Sequence, residues 1–128
     1  MDNNLEMVKL SLPCKAEYVS TARLVASSMA NRLGFDIDDI EDIKVAVSEV
    51  CSNIVKKTTE TCEYIIQFII KDSKLIVSFQ CLCFSGDIFA DEDEAFASAI
   101  IQALMDSVEF HPDTETIISM SKSIGEKI

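Results

Sequence analysis

The chain of 128 residues is short of cations, has one histidine and contains no long apolar run, and each shortage removes a class of function. Eleven Lys and Arg stand against 22 Asp and Glu, for a formal net charge of −11. A surface of that sign repels a polyphosphate backbone and an anionic bilayer, so nucleic acid and membrane surfaces are disfavoured as partners. A basic protein partner is compatible with it. The lone histidine, His111, sits beside Pro112 in a turn and reads as a surface residue, because a metal cluster needs further ligands. No stretch approaches the roughly 18 consecutive apolar residues of a membrane span. The opening Met1-Asp2-Asn3-Asn4-Leu5-Glu6 has neither the basic nor the apolar region of a secretion signal, so the cytoplasm is the expected compartment. No repeat, low-complexity tract or linker interrupts the chain, and its length suits one domain.

What is present is a good supply of apolar residues, 48% of the chain, in patterns that alternate between helical and strand spacing. Glu6 to Leu12 alternates weakly and stops at Pro13, which suggests an edge strand. From Ala16 to Leu33 the apolar positions 18, 22, 25, 26, 29 and 33 recur at helical spacing, and Gly34 closes the helix. Asp38, with Glu41 three residues on, reads as the start of a second helix that runs to about Lys57. Its stripe is Ile40, Ile43, Val47, Val50, Cys51 and Ile54. Glu63–Lys71 and Lys74–Cys83 are rich in β-branched and aromatic residues, with Asp72-Ser73 between them, and predict a hairpin with a two-residue turn. Asp93 to about Met105 reads as a third helix with Phe96, Ala99, Ile100, Ala103 and Leu104 inward. A last hairpin is expected at Ser107–His111 and Thr116–Lys122, turning at Pro112-Asp113. The order β-α-α-β-β-α-β-β, with helices and strands in separate runs, indicates an α+β fold. The expectation is a two-layer α/β sandwich, with a mixed sheet of about five strands and three helices on one face.

Two constellations could carry chemistry. Glu49 and Asn53 are four apart on the second helix, so a carboxylate and a carboxamide can address one site. A carboxylate is a candidate base, and a carboxamide oxygen is a candidate ligand for a hard cation such as Mg²⁺. The plain alternative is the polar flank of an amphipathic helix, with Asn53 at the border of the apolar stripe and Glu49 nearer solvent. The second constellation is the set of cysteines at 14, 51, 62, 81 and 83, an odd number that reads as reduced thiols in the absence of a secretion signal. Cys81 and Cys83 share a strand face, and with Cys62 or Cys51 they could suggest a metal or redox site. Their two-residue spacing fits neither a redox CxxC nor a structural zinc site well, so core thiols are favoured over a thiol-based sensor. Arg23 lies on a flank of the first helix, where partner contact and simple solvation are both open readings.

Leu10 to Pro13, Glu17-Tyr18-Val19 with Arg23-Leu24, and the run from Ile40-Glu41-Asp42 through Ala46-Val47-Ser48-Glu49 to Asn53 resemble the anti-sigma-factor serine kinases. These belong to the GHKL, or histidine-kinase-like, ATPases of the Bergerat fold. Ala103-Leu104-Met105-Asp106 and Met120-Ser121-Lys122 are similar to that family's last helix and last strand. The resemblance implies that residues 1–128 form one domain of this type and that the partner is a sigma factor or an anti-sigma-factor antagonist. It also implies a cytoplasmic role in transcription regulation, and it admits a homodimer. By the same resemblance Glu49 matches the base that promotes attack by an acceptor hydroxyl, Asn53 matches the Mg²⁺ ligand of Mg-ATP, and Lys57 stands where relatives often have histidine.

The nucleotide site departs from the family pattern. The aspartate and glycine expected after the second hairpin strand fall near Cys81-Leu82-Cys83, and the later Gly86-Asp87 has the reverse order. Ala95-Phe96-Ala97 occupies the glycine-x-glycine at the start of the last helix, adding a Cβ where bare amides would hold phosphates. Asp91-Glu92-Asp93-Glu94 precedes it and would repel a triphosphate, by about 1 kcal/mol per charge pair at ~4 Å in water. The nine residues joining strand to helix are fewer than the family's lid. The expectation is therefore a regulator that acts by protein–protein binding, with ATP binding lost or weak and no cofactor required. The alternative is a Mg-ATP-dependent serine protein kinase acting on an anti-sigma-factor antagonist, with Glu49 as base, Asn53 as metal ligand and Ala95 and Ala97 in a degenerate nucleotide site.

Overall fold

In the computed structural model the described residues are 5–83, 89, 95–111 and 116–125. The elements follow the predicted order: β1 (Glu6–Pro13), a 3-10 turn (Ala16–Tyr18), α1 (Val19–Leu33), α2 (Ile37–Lys57), β2 (Glu63–Lys71), β3 (Lys74–Gln80), α3 (Ala95–Leu104), β4 (Ser107–Phe110) and β5 (Thr116–Ser123). The strands form one five-stranded sheet in the order β1-β2-β3-β5-β4. Every neighbouring pair is antiparallel, so the α+β sandwich stands while the parallel pairing of a mixed sheet is absent among the described strands. The reason is topological. β3 and β4 run in the same direction and α3 crosses from one to the other, but β5 lies between them, antiparallel to both, so no two neighbouring strands are parallel.

Burial along β2 alternates strictly, with Tyr64, Ile66, Phe68 and Ile70 beneath the helices and Ile65, Gln67 and Ile69 on the other face. Leu75, Val77 and Phe79 of β3 and Ile118 and Met120 of β5 continue the buried layer. α1 packs on β2 and β3, and α2 is held between α1 and α3. The hairpin turn is as expected: Asp72 and Ser73 both have positive φ (54° and 61°), the pattern of a type I′ turn that matches strand twist. Gly34 ends α1 at φ 99°, donating to the carbonyls of Ala30 and Asn31.

Three expectations about the elements are corrected. The cap of α2 lies two residues before Asp38: Asp36 is the N-cap and accepts from the Asp39 N–H at 2.9 Å, so the helix begins at Ile37. Its first residue, Ile37, is exposed and gave no periodic signal. α3 is rotated by about one residue from the predicted phase: Phe96 is 75% exposed, and Ile101 is the buried residue. A helix apolar on nearly every side leaves its phase to tertiary packing. Finally, β3 ends at Gln80, so Cys83 lies beyond the strand instead of on its face. Asp91–Glu94, Gly86-Asp87 and the turn at Pro112-Asp113 lie outside the described residues. No helix among the described residues is long and apolar enough to cross a membrane.

Candidate functional site on the second helix

The rotation of α2 is fixed by Ile43, Ala46, Val47, Val50 and Ile54, which pack into the core. Asn53 lies three residues after Val50 and one before Ile54, so this registration carries it inward to 3% exposure, deeper than the border position the spacing suggests. Its Nδ2 donates to the Glu49 main-chain carbonyl at 2.8 Å, which joins the two residues through backbone as well as spacing. Its Oδ1 is buried and has no hydrogen-bond partner among the described residues. Glu49 itself is half-buried. A buried acceptor left unmade costs about 1–3 kcal/mol, so such an atom calls for an explanation, and a bound cation or donor is one.

That orphaned oxygen is the observation against which Mg-ATP can be tested. A lone carboxamide oxygen suits Mg²⁺, which keeps several waters and takes other ligands from a substrate phosphate. Among the described residues no group of three His, Cys, Asp or Glu could hold a metal. The phosphate side does not fit equally well. α3 begins at Ala95, which is exposed, and Ala97 packs its methyl against the core, so neither presents bare backbone.

Arg23 is exposed on α1 and donates from Nη1 to Ser48 Oγ of α2 at 3.3 Å. It stands at a groove of about 480 Å³ lined by Ala16, Val19, Ser52, Val55 and Lys56. Lys57 is half-buried in the last turn of α2, where the helix dipole favours a cation. His111 is half-exposed and 3.7 Å from Glu109, in keeping with a surface role.

In the core lies a thiol–phenol pair, Cys51 and Tyr64, that the residue pattern did not signal. Burial pushes the Cys51 thiol up to about 12, and the neighbouring Tyr64 hydroxyl, which it faces, is pushed up mainly by burial and further by Cys51. Both are neutral in the folded protein at physiological pH. The sign of the linkage follows: an unfolded Cys51 ionises near 9 while the folded one does not, so its contribution is full below pH 9 and is lost as pH rises towards 12. Unfolding free energy from urea titrations is expected to fall across that window, and Cys51→Ala to reduce the slope.

The expectation of five reduced thiols is overturned. Cys62 and Cys83 form a disulfide, with Cα atoms 6.2 Å apart, while Cys14, Cys51 and Cys81 are free and buried. The hairpin register held the signal. The β2–β3 pairs are mirrored about the 72–73 turn, and continuing them three steps past Ile65–Gln80 sets Cys62 opposite Cys83. Judging the cysteines by their spacing along one strand, and not by the cross-strand register, concealed it.

Residues 12–85 match the histidine kinase-like ATPase domain. The serine-protein kinase RsbW of Halalkalibacterium halodurans is 31% identical over 134 aligned positions, covering 91% of this chain and 83% of that protein. RsbW of Bacillus thuringiensis is 50% identical over 56 residues, 44% of this chain and 35% of its own length. Among solved structures, that of the RsbU and RsbW domains of Rv1364c from Mycobacterium tuberculosis superposes with a TM-score of 0.65 at 16% identity. It covers 92% of this chain and 32% of the other, a likeness of fold.

Proposed function

Because the chain belongs to the histidine kinase-like ATPase family, among the RsbW serine-protein kinases, we propose that it is an anti-sigma-factor-type regulator. It acts by binding a protein, either a sigma factor or an anti-sigma-factor antagonist, with nucleotide handling reduced or lost. The observation that carries this reading is Arg23, exposed over the groove between α1 and α2 on a scaffold whose helix pair is intact. A guanidinium beside half-apolar walls suits a partner segment with a carboxylate and an aliphatic side chain. The reading takes residues 1–128 as one cytoplasmic domain and admits a homodimer. In calorimetric titrations without nucleotide, saturable binding to the host's sigma factor or antagonist is expected. Arg23→Glu should weaken it about thirtyfold or more, the loss of roughly 2 kcal/mol expected of a hot-spot residue. Absence of binding without nucleotide would sink this reading.

One observation favours a second reading, an active Mg-ATP-dependent serine kinase: the buried, unpartnered Asn53 Oδ1. In that case Asn53 would ligate Mg²⁺ and Glu49 would promote attack by an acceptor hydroxyl. Bound Mg-ATP would supply the phosphoryl group. Against this reading, Ala95 and Ala97 do not make the cradle that phosphoryl transfer depends on. Titration with Mg-ATP separates the two. Saturation at micromolar to low-millimolar ATP, lost in Asn53→Ala, favours the kinase, and no heat favours the binding module.

A further inference from the structure

The cysteines gather at one end of the fold. Cys14 follows β1 and donates its N–H to the carbonyl of Cys62 at 3.0 Å, Cys81 and Cys83 follow β3, and Cys51 faces Tyr64 at the start of β2. We propose that Cys62 and Cys83 are a reversible dithiol–disulfide pair, a modification site that exchanges with low-molecular-weight thiols and disulfides. When closed, it pins the chain where it leaves β3 for α3.

Three independent features support the assignment. The hairpin register alone sets the two residues opposite each other, so closure needs no rearrangement of β2 or β3. Access separates this pair from the rest: Cys83 is exposed and Cys62 half-exposed, whereas Cys14, Cys51 and Cys81 are buried, and Cys51 is also held protonated. A groove of about 340 Å³, lined by Glu63, Ile65, Gln80 and the exposed Leu82, runs beside the two sulfurs and leaves room for an incoming thiol.

The chemistry balances as two successive exchanges. A small thiolate attacks the Sγ of Cys83, the more exposed residue of the pair. The Cys62–Cys83 bond breaks with its electron pair going to Cys62 Sγ, which takes a proton from water. Thr59 Oγ1, 3.7 Å from Cys62 Sγ, is placed to donate to the departing sulfur. A second small thiolate then attacks the small-molecule sulfur of the mixed disulfide and releases Cys83 as a thiol. Two small thiols become one small disulfide, and the protein gains two hydrogens. Closure is the reverse, with a small disulfide as the two-electron oxidant. The consequence for the fold is local. Cys83 begins the link to α3, and α3 packs on the helix that carries Asn53, so the bond fixes where that link starts.

The test uses the full chain equilibrated in glutathione and glutathione disulfide at graded ratios, quenched in acid, alkylated and mapped by mass spectrometry. Cys62 and Cys83 are expected to lose alkylation together in one reversible transition, with a 62–83 cross-linked peptide. Amide exchange over residues 80–83 is expected to be about fivefold or more slower in the closed form. Cys83→Ser should exchange like the reduced wild type at every ratio. A cross-link through Cys14 or Cys81, independent loss of the two thiols, or a bond that stays closed at every ratio would overturn the pair. Equal exchange rates in the two forms would overturn the pinning.

Discussion

Phe68→Ala is expected to lower the unfolding free energy by about 3–5 kcal/mol, a large part of the roughly 5–15 kcal/mol that holds a domain of this size. Phe68 is fully buried on β2, opposite Val8 of β1 and Val77 of β3, beneath the helices. Removing the ring takes away its transfer free energy and leaves a cavity the sheet cannot close, because the backbone on both sides is held by ladder hydrogen bonds. Urea titrations should show a lower midpoint at an unchanged m-value. Gln67→Ala, one residue away on the opposite face, is the control and should change stability by no more than about 0.5 kcal/mol. A Phe68→Ala loss below about 1 kcal/mol would mean that this face of β2 is not the core.

Composition and turn chemistry explain why so much of the fold is legible in the sequence. β2 and β3 are rich in β-branched and aromatic residues, the turn between them has only two residues, and α2 has a clean stripe from Ile43 to Ile54. Where the pattern is one-sided, the chain announces its own geometry. α3 did not, because alanine, isoleucine and leucine surround its axis and only packing against α2 selects Ile101 as the inward residue. The start of α2 was misplaced because its cap, Asp36, precedes an exposed isoleucine. At the site, spacing brought Glu49 and Asn53 together, but the depth of Asn53 depends on how far α2 is pressed between α1 and α3. That is a long-range property. The Cys62–Cys83 pair was legible in principle, since the turn fixes the register and the register fixes the pair.

Asn53→Asp is expected to have an effect as large as the loss of the Phe68 ring, for an electrostatic reason. The substitution changes one donor into an acceptor where the Glu49 carbonyl already points, and it leaves a second oxygen buried without a partner among the described residues. An uncompensated buried charge costs about 3–5 kcal/mol, so the variant should be less stable than wild type by that much at pH 7. Burial raises the folded pKa of the new carboxyl above its unfolded value near 4. The cost is therefore absent below about pH 4, where the protonated acid can donate to Glu49, and it grows as pH rises towards the folded value. Asn53→Leu removes both polar atoms and should be neutral or stabilising by about 1 kcal/mol. Millimolar Mg²⁺ distinguishes a kept ligand site from a relic. If Asn53 Oδ1 faces a cation position, the ion should restore much of the stability that Asn53→Asp loses and do nothing for Asn53→Leu. If neither variant responds and the loss persists, the carboxamide is a buried acceptor with no ion to serve, and the binding-module reading gains.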